Sequence, residues 1–160
     1  MIHMKKAENL PEIVVGAYIK NSSDEFLFVK SRYEKKIWTV PGGHVERGER
    51  IADALRRTVF EETGLVVNPT RLLGIQEKIP GRSSKKENAH FIFMDFLCEI
   101  KSKKSKPRIS EVKKSEWIGK SKLKKLKVDK YTRYTIKMLG MKGTYESYIP
   151  IGLEKKLLTK

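Results

Sequence analysis

The chain has 160 residues, 39% of them hydrophobic and 34% charged, with a net charge of +16. That length fits one domain with a proper core, and no apolar run approaches the ~20 residues of a membrane-spanning helix. The start, Met1 to Lys6, lacks the apolar centre of a secretory leader, and Cys98 is the sole cysteine, which excludes an intrachain disulfide and a cysteine zinc cluster; a reducing cytoplasm is the expected compartment.

In chain order, Ile13 to Ile19 reads as a first strand, with Gly16 as a bulge signal. A turn at Asn21 to Asp24 leads to a second strand, Phe26 to Lys30, which completes a hairpin. A charged loop and a short strand, Ile37 to Val40, enter a glycine loop from Gly42 to Glu49. Its three glycines let backbone approach a ligand closely. A helix follows to Thr63, and Gly64 supplies its C-cap. At about 100° per residue, Ile51, Ala52, Leu55 and Val59 form the core stripe. Glu61 lies off that stripe and Glu62 at its border, and Thr58 projects between them one turn earlier. Two carboxylates facing a glycine loop make a hard oxygen site, suited to Mg²⁺ or Mn²⁺. Arg57, four residues before Glu61, can pair with it along the helix.

Beyond the helix, Arg71 to Ile79 reads as a strand. Pro80 to Asn88 reads as a polar hairpin loop, with Arg82, Lys85 and Lys86 able to attract phosphate. Ala89 to Ile100 is the longest strand pattern, with Phe91 to Met94 central in the sheet; His90 reads as structural and Cys98 as a buried thiol. A basic link leads to a strand ending at Trp117-Ile118. Ser121 caps a short turn. Asp129 begins a second helix, with Tyr131, Tyr134, Ile136, Met138 and Leu139 on its apolar side, and it covers the other face of the sheet. The tail, 144–160, packs through Tyr145, Tyr148, Ile149 and Leu153 or serves a dimer contact. Strands, helix, strands, helix is the order of a layered α/β domain with a mixed sheet, here a single domain over 1–160.

The charge is uneven. Lys101 to Lys142 holds 16 basic and 3 acidic residues, a net +13. Such a field attracts phosphate, so RNA is a candidate partner through 101–142, although no signature of an RNA-binding module is visible. A lysine-rich solvated surface is the plainer reading.

A glutamate pair on a helix is usually only a solvated face; here the spacing around it is distinctive. From Gly43, five residues lead to Glu49, seven more to Arg57, then come Glu61-Glu62, one residue, Gly64 and Leu65. With its lead-in, Trp38 to Gly43, this pattern resembles the Nudix box of the MutT-like pyrophosphohydrolases. The resemblance implies an αβα sandwich with a mixed central sheet over about residues 10–140. It implies a Mg²⁺- or Mn²⁺-dependent hydrolase of nucleoside diphosphates linked to another moiety, working through a metal-activated water. Glu61, Glu62 and a carbonyl near Gly42 would hold the metal. Gly43, His44 and Arg32 would meet the substrate phosphates, and Glu49 beside Arg57 would hold the helix geometry. Glu111, a few residues before Trp117, matches an acid that in several relatives reaches back to the metal, as a third ligand or as the base. Homodimers are common in the family.

One position departs from the pattern: the family has glutamate directly after the arginine, and this chain has Thr58. Threonine is neither a carboxylate ligand nor a general base near neutral pH. GDP-mannose mannosyl hydrolase relatives also lack that glutamate, so the departure bears on mechanism more than on fold. The alternative reading is a catalytically weakened module that binds nucleotide or RNA through its basic surface.

Overall fold

The computed structural model describes residues 10–31, 37–79, 89–103, 112–139 and 148–149. Strand β1 (Glu12–Lys20) is apolar on both faces because both are covered. Val15, Ala17 and Ile19 point to one side, into a cluster with Ala54, Leu55, Val59, Val67 and Cys98. Tyr18 points to the other, joining Phe26, Phe28, Trp38, Leu73 and Ile118. Helix α1 (Ile51–Thr63) covers the first face, and helix α3 (Lys130–Leu139) covers the second through Ile136 and Leu139. Among the described residues, no helix is long and apolar enough to cross a membrane.

The remaining elements are β2 (Phe26–Ser31), β3 (Gly42–His44), β4 (Leu65–Lys78), β5 (Phe91–Lys103), β6 (Val112–Ile118), the short α2 (Lys120–Leu123) and β7 (Tyr148–Ile149). The described strands form a mixed sheet in the order β6-β2-β1-β5-β4-β7, with β3 pairing β1 off that path. β1 and β5 are parallel, with Gly16 opposite Asp95, and β4 and β5 are antiparallel. β1 and β2 share only the Lys20–Phe26 register before they part. Into that split comes 38–44: Thr39 bridges to Val29, the Pro41 carbonyl accepts from the Ala17 N–H at 2.8 Å, and β3 pairs Val14 to Gly16. The split is what brings backbone of the motif against the centre of the sheet.

Several boundaries differ from the sequence reading. Gly42 to His44 is a strand, not loop, and of the three motif glycines only Gly48 has positive φ (82°). Gly42 is required by contact instead: a Cβ there would lie 2.0 Å from the Val15 carbonyl oxygen. Residues 37–40 make isolated bridges at Trp38 and Thr39 rather than a strand. β4 starts at Leu65, six residues early, running through Pro69 on register shifts that absorb its missing N–H. Gly119, not Ser121, precedes α2. The buried face of α1 includes Ala54, Thr58 and Thr63, while Ile51 and Ala52 are only half-buried. Of the basic link at 101–110, residues 101–103 belong to β5 instead; the rest of it, the loop at 80–88 and nearly all of the tail lie outside the described residues.

Candidate functional site

Helix α1 is fixed at both ends. Arg50 enters in an extended conformation and Asp53 sits in the first turn, where an acid complements the helix dipole. At the far end Thr63 Oγ1 donates to the Val59 carbonyl at 2.7 Å and accepts from the Leu65 N–H at 3.2 Å. Gly64 (φ 69°) donates its N–H to the Phe60 carbonyl and turns the chain into β4. The glutamate pair therefore stands on a terminated, packed helix.

Arg57 ties this helix to residues 44–49. Its Nε and Nη2 donate to the two Glu49 oxygens at 2.8 and 2.9 Å, and Nη2 also reaches the His44 carbonyl at 3.1 Å. Its Nη1 lies 3.4 Å from Glu61 Oε2 and 3.7 Å from Glu46 Oε1. Glu49 further accepts from the Glu46 N–H at 3.0 Å, closing the turn around Gly48. The bidentate Arg57 contact, with that N–H, holds the Glu49 carboxyl down to about 2, and Glu49 in turn raises Arg57.

Glu61 is exposed and leans toward Arg57, while Glu62 is half-buried. The Gly42 N–H donates to Glu62 Oε2 at 3.0 Å, across 20 residues of sequence. Thr58 does not project between the two glutamates. It is buried, donates to the Leu55 carbonyl at 3.3 Å, and its methyl lies 2.8 Å from where a Cβ on Gly43 would sit. Only glycine at 43 fits over that side chain.

Among the described residues, no three His, Cys, Asp or Glu side chains gather closely enough to hold a metal ion. The chemistry of the pair still fits a hard divalent cation: Glu61 and Glu62 are adjacent carboxylates, and Glu62 is oriented by Gly42 backbone. Arg32 and Glu111, the other charged residues singled out from sequence, lie outside the described residues. His44 sits in β3 with Nε2 3.0 Å from Glu12 Oε2 and its ring 6.1 Å from that of Phe91. His90, just before β5, pairs with Glu77 of β4 at 2.6 Å.

Beside Glu62 opens a cavity of about 240 Å³, lined by Gly16, Val40, Gly42 and Gly43 and by Phe93, Asp95, Asp129 and Tyr131. Sequence reading missed the latter four. Asp95 interrupts the apolar run of β5 and Gly16 interrupts that of β1; these two breaks were the available signal, since a charge or a glycine inside a buried strand marks a close approach. Asp95 is 8% exposed. Its Oδ2 accepts from Thr135 Oγ1 at 2.5 Å and from Gln76 Nε2 at 3.4 Å, and burial pushes its carboxyl up to about 7. Asp129 spends its oxygens on the start of α3, accepting from the Tyr131 and Thr132 N–H groups at 2.8 and 2.9 Å and from Thr132 Oγ1 at 2.6 Å.

A family model described as the NUDIX domain matches residues 10–139. The 8-oxo-dGDP phosphatase NUDT18 of Mus musculus is 39% identical over 67 residues, 41% of this chain and 21% of that protein. The protein of Mus musculus called nucleoside diphosphate-linked moiety X motif 6 is 31% identical over 150 residues, 91% of this chain and 46% of that protein. The chain thus spans less than half the length of either relative. A solved NUDIX hydrolase from Nitrosomonas europaea shares the fold, with a TM-score of 0.71 at 21% identity, over 86% of this chain and 93% of that one.

Proposed function

Because this chain belongs to the NUDIX domain family, we propose that it is a divalent-metal-dependent hydrolase of the phosphoanhydride in a nucleoside diphosphate linked to another group. The observation that carries the reading is Glu62 lining a cavity beside Gly42 and Gly43, with Glu61 next to it on a helix that Arg57 ties down. Glu61, Glu62 and Gly42 backbone would hold the ion. When bound, Mg²⁺ or Mn²⁺ neutralises phosphate charge and acidifies water.

The chain's own residues do the rest. Arg57 and Glu49 hold the helix at a set distance from residues 44–49, so the Glu61 and Glu62 carboxylates keep their aim. The Gly42 N–H fixes the Glu62 rotamer. Gly43, which lines the cavity, would meet a phosphate oxygen, with Arg32 and His44 as further phosphate contacts. Thr58 cannot take the base role: it lacks a carboxylate and its hydroxyl already donates to Leu55. Glu111 is proposed for that role, as the base or a third ligand. The test is product formation from nucleoside triphosphates, ADP-ribose, GDP-mannose and dinucleoside polyphosphates, with Mg²⁺, with Mn²⁺ and with chelator. Ion-dependent turnover supports the reading; no turnover on any of them contradicts it.

A second reading, a module that binds RNA or nucleotide without cutting, draws on the buried Thr58 and on seven exposed lysines, Lys114, Lys120, Lys122, Lys124, Lys125, Lys127 and Lys130. Salt-dependent RNA binding without hydrolysis would favour it.

A further inference from the structure

We propose that Lys30 and Lys114, paired over the Trp38 ring, seat a backbone phosphate of a nucleic-acid strand, and that the lysine-rich segment beside them carries its further phosphates. This seat is separate from the cavity at Glu62 and does not rest on the hydrolase reading; it gives the RNA-binding reading a defined point of contact.

The seat is built from an unfavourable pair. Lys30 on β2 lies directly opposite Lys114 on β6 in the antiparallel register, so both side chains leave the same face of the sheet. Like charges so placed destabilise a ladder. Both ammonium groups nevertheless sit over one indole, with Nζ 4.7 and 5.4 Å from the centre of the Trp38 ring, which holds each of them by its π face. Glu116 serves Lys114 at 2.9 Å, while Lys30 makes no ion pair with any described residue. Lys30 and Lys122 also act on Glu116, so three lysines share that one carboxylate. An anion between Lys30 and Lys114 relieves their repulsion.

The seat continues into a fixed basic track. The Trp38 N–H donates to the Lys127 carbonyl at 2.8 Å, which joins the ring to the segment between β6 and α3. That segment is held from inside. Arg133 of α3 donates through Nη1 to the Leu123 and Lys124 carbonyls at 2.8 and 3.2 Å and through Nη2 to the Leu126 carbonyl. Leu123, Leu126 and Val128 pack into the core, and Lys122, Lys124, Lys125 and Lys127 are left exposed. Charges carried on a fixed backbone lose less freedom when they bind.

The partner follows from what this surface is made of. Every exposed residue from 114 to 130 is lysine or serine. Protein interfaces have an apolar centre, and a membrane-surface segment needs an apolar face to bury. Here the apolar side chains are already in the core, and the exposed large hydrophobics among the described residues, Leu10, Ile79 and Ile100, belong to other elements. A polar, strongly positive surface is instead the kind that meets nucleic acid. Trp38 is 9% exposed, too covered to stack on a base, so the contact is to phosphate.

The experiment is equilibrium binding in chelator, using oligouridylate and oligothymidylate of about 12 nucleotides with 5′-hydroxyl ends, which have no anhydride to cut, and phosphatidylserine vesicles beside them. Binding of either strand is expected, weakening at least about tenfold between about 50 and 200 mM salt; the tighter of the two identifies the sugar. Binding should change the fluorescence of Trp38, read as the signal that Trp38→Phe lacks, because the phosphate alters the charge above the indole. Lys30→Gln and Lys114→Gln should each weaken binding about fivefold or more and lower the salt slope by about 0.7, against about twofold for Lys125→Gln, an exposed lysine outside the seat. Neither Lys30 nor Lys114 lines the cavity, so turnover of a small nucleotide should be unchanged in both. No binding of either strand at low salt, a silent Trp38, tighter capture by the vesicles than of either strand, or equal losses in all three lysine variants would each overturn the proposal. Equal losses strike the seat alone and leave RNA binding as diffuse attraction, whereas absent turnover with the seat intact faults only the hydrolase reading.

Discussion

Burial of Asp95 should make the stability of this protein depend on pH in a way that a single substitution removes. The carboxyl rises from its ordinary 3.8 to about 7, chiefly through burial, with Asp129 adding repulsion and Thr135 and Gln76 opposing it. The other titratable group packed against it is Tyr18 on β1, itself pushed well above its ordinary value by burial and by Asp95. Between those two pH values the folded chain holds a proton that the unfolded chain has released. Stability is therefore greatest below about pH 4 as far as this group is concerned, and falls as pH rises toward 7. At about 1.4 kcal/mol per tenfold change in proton affinity, the loss accumulates to about 4 kcal/mol, or on the order of 10 °C in Tm for a domain of this size. Asp95→Asn cannot ionise and so lacks this slope. Urea melts of both proteins at pH 4.5, 6, 7 and 8 give the difference in unfolding free energy at each pH. Asp95→Asn should gain on wild type from pH 4.5 to 7 and level off toward pH 8. A difference that stays flat with pH would refute the reasoning, since a constant offset reports only packing.

Other consequences follow from the motif and the core. Gly43→Ala forces a Cβ to 2.8 Å from the Thr58 methyl and should cost about 1–3 kcal/mol; Thr58→Ser in the same chain removes that methyl and should recover part of the loss in urea melts. Arg57→Ala should free the Glu49 carboxyl to return toward its ordinary range. The Arg57 contact is present at neutral pH and is lost as pH falls from 4.5 toward about 2, so NMR titration of Glu49 should show an upward shift in the variant, and no shift would contradict the contact. Cys98 is buried and pushed up to about 12, so a thiol reagent at pH 8 should label it only on unfolding; fast labelling of the native chain would place it wrongly.

What was legible in the sequence was mostly local. Gly64 ends α1 because it takes the left-handed turn, and Asp129 begins α3 because its carboxylate caps the Tyr131 and Thr132 N–H groups; both act within a few residues of themselves. The Arg57–Glu49 contact was available because it belongs to a spaced pattern. Placement of α1 and α3 on opposite faces followed from the order of apolar segments. What stayed hidden depended on contacts between distant segments. Gly42 to His44 is a strand because Val14 to Gly16 lies beside it, and no property of two glycines and a histidine announces that. β4 extends back through Pro69 because β5 pairs it there despite the proline. Thr58 turns inward because Gly43 leaves room for it. The Asp95, Gln76 and Thr135 cluster draws on two strands and a helix, 19 to 59 residues apart, and only the interruption of an apolar strand by Asp95 hinted at it.

The central claim is that Glu61 and Glu62 hold the ion that the hydrolysis needs. The most direct measurement is steady-state turnover of the best nucleotide substrate against Mg²⁺ concentration, in wild type, Glu61→Gln and Glu62→Gln. Both variants should lose most of their turnover and need far more Mg²⁺ for what remains, with melting temperatures near wild type. Near-normal turnover and an unchanged Mg²⁺ requirement in both would contradict the assignment.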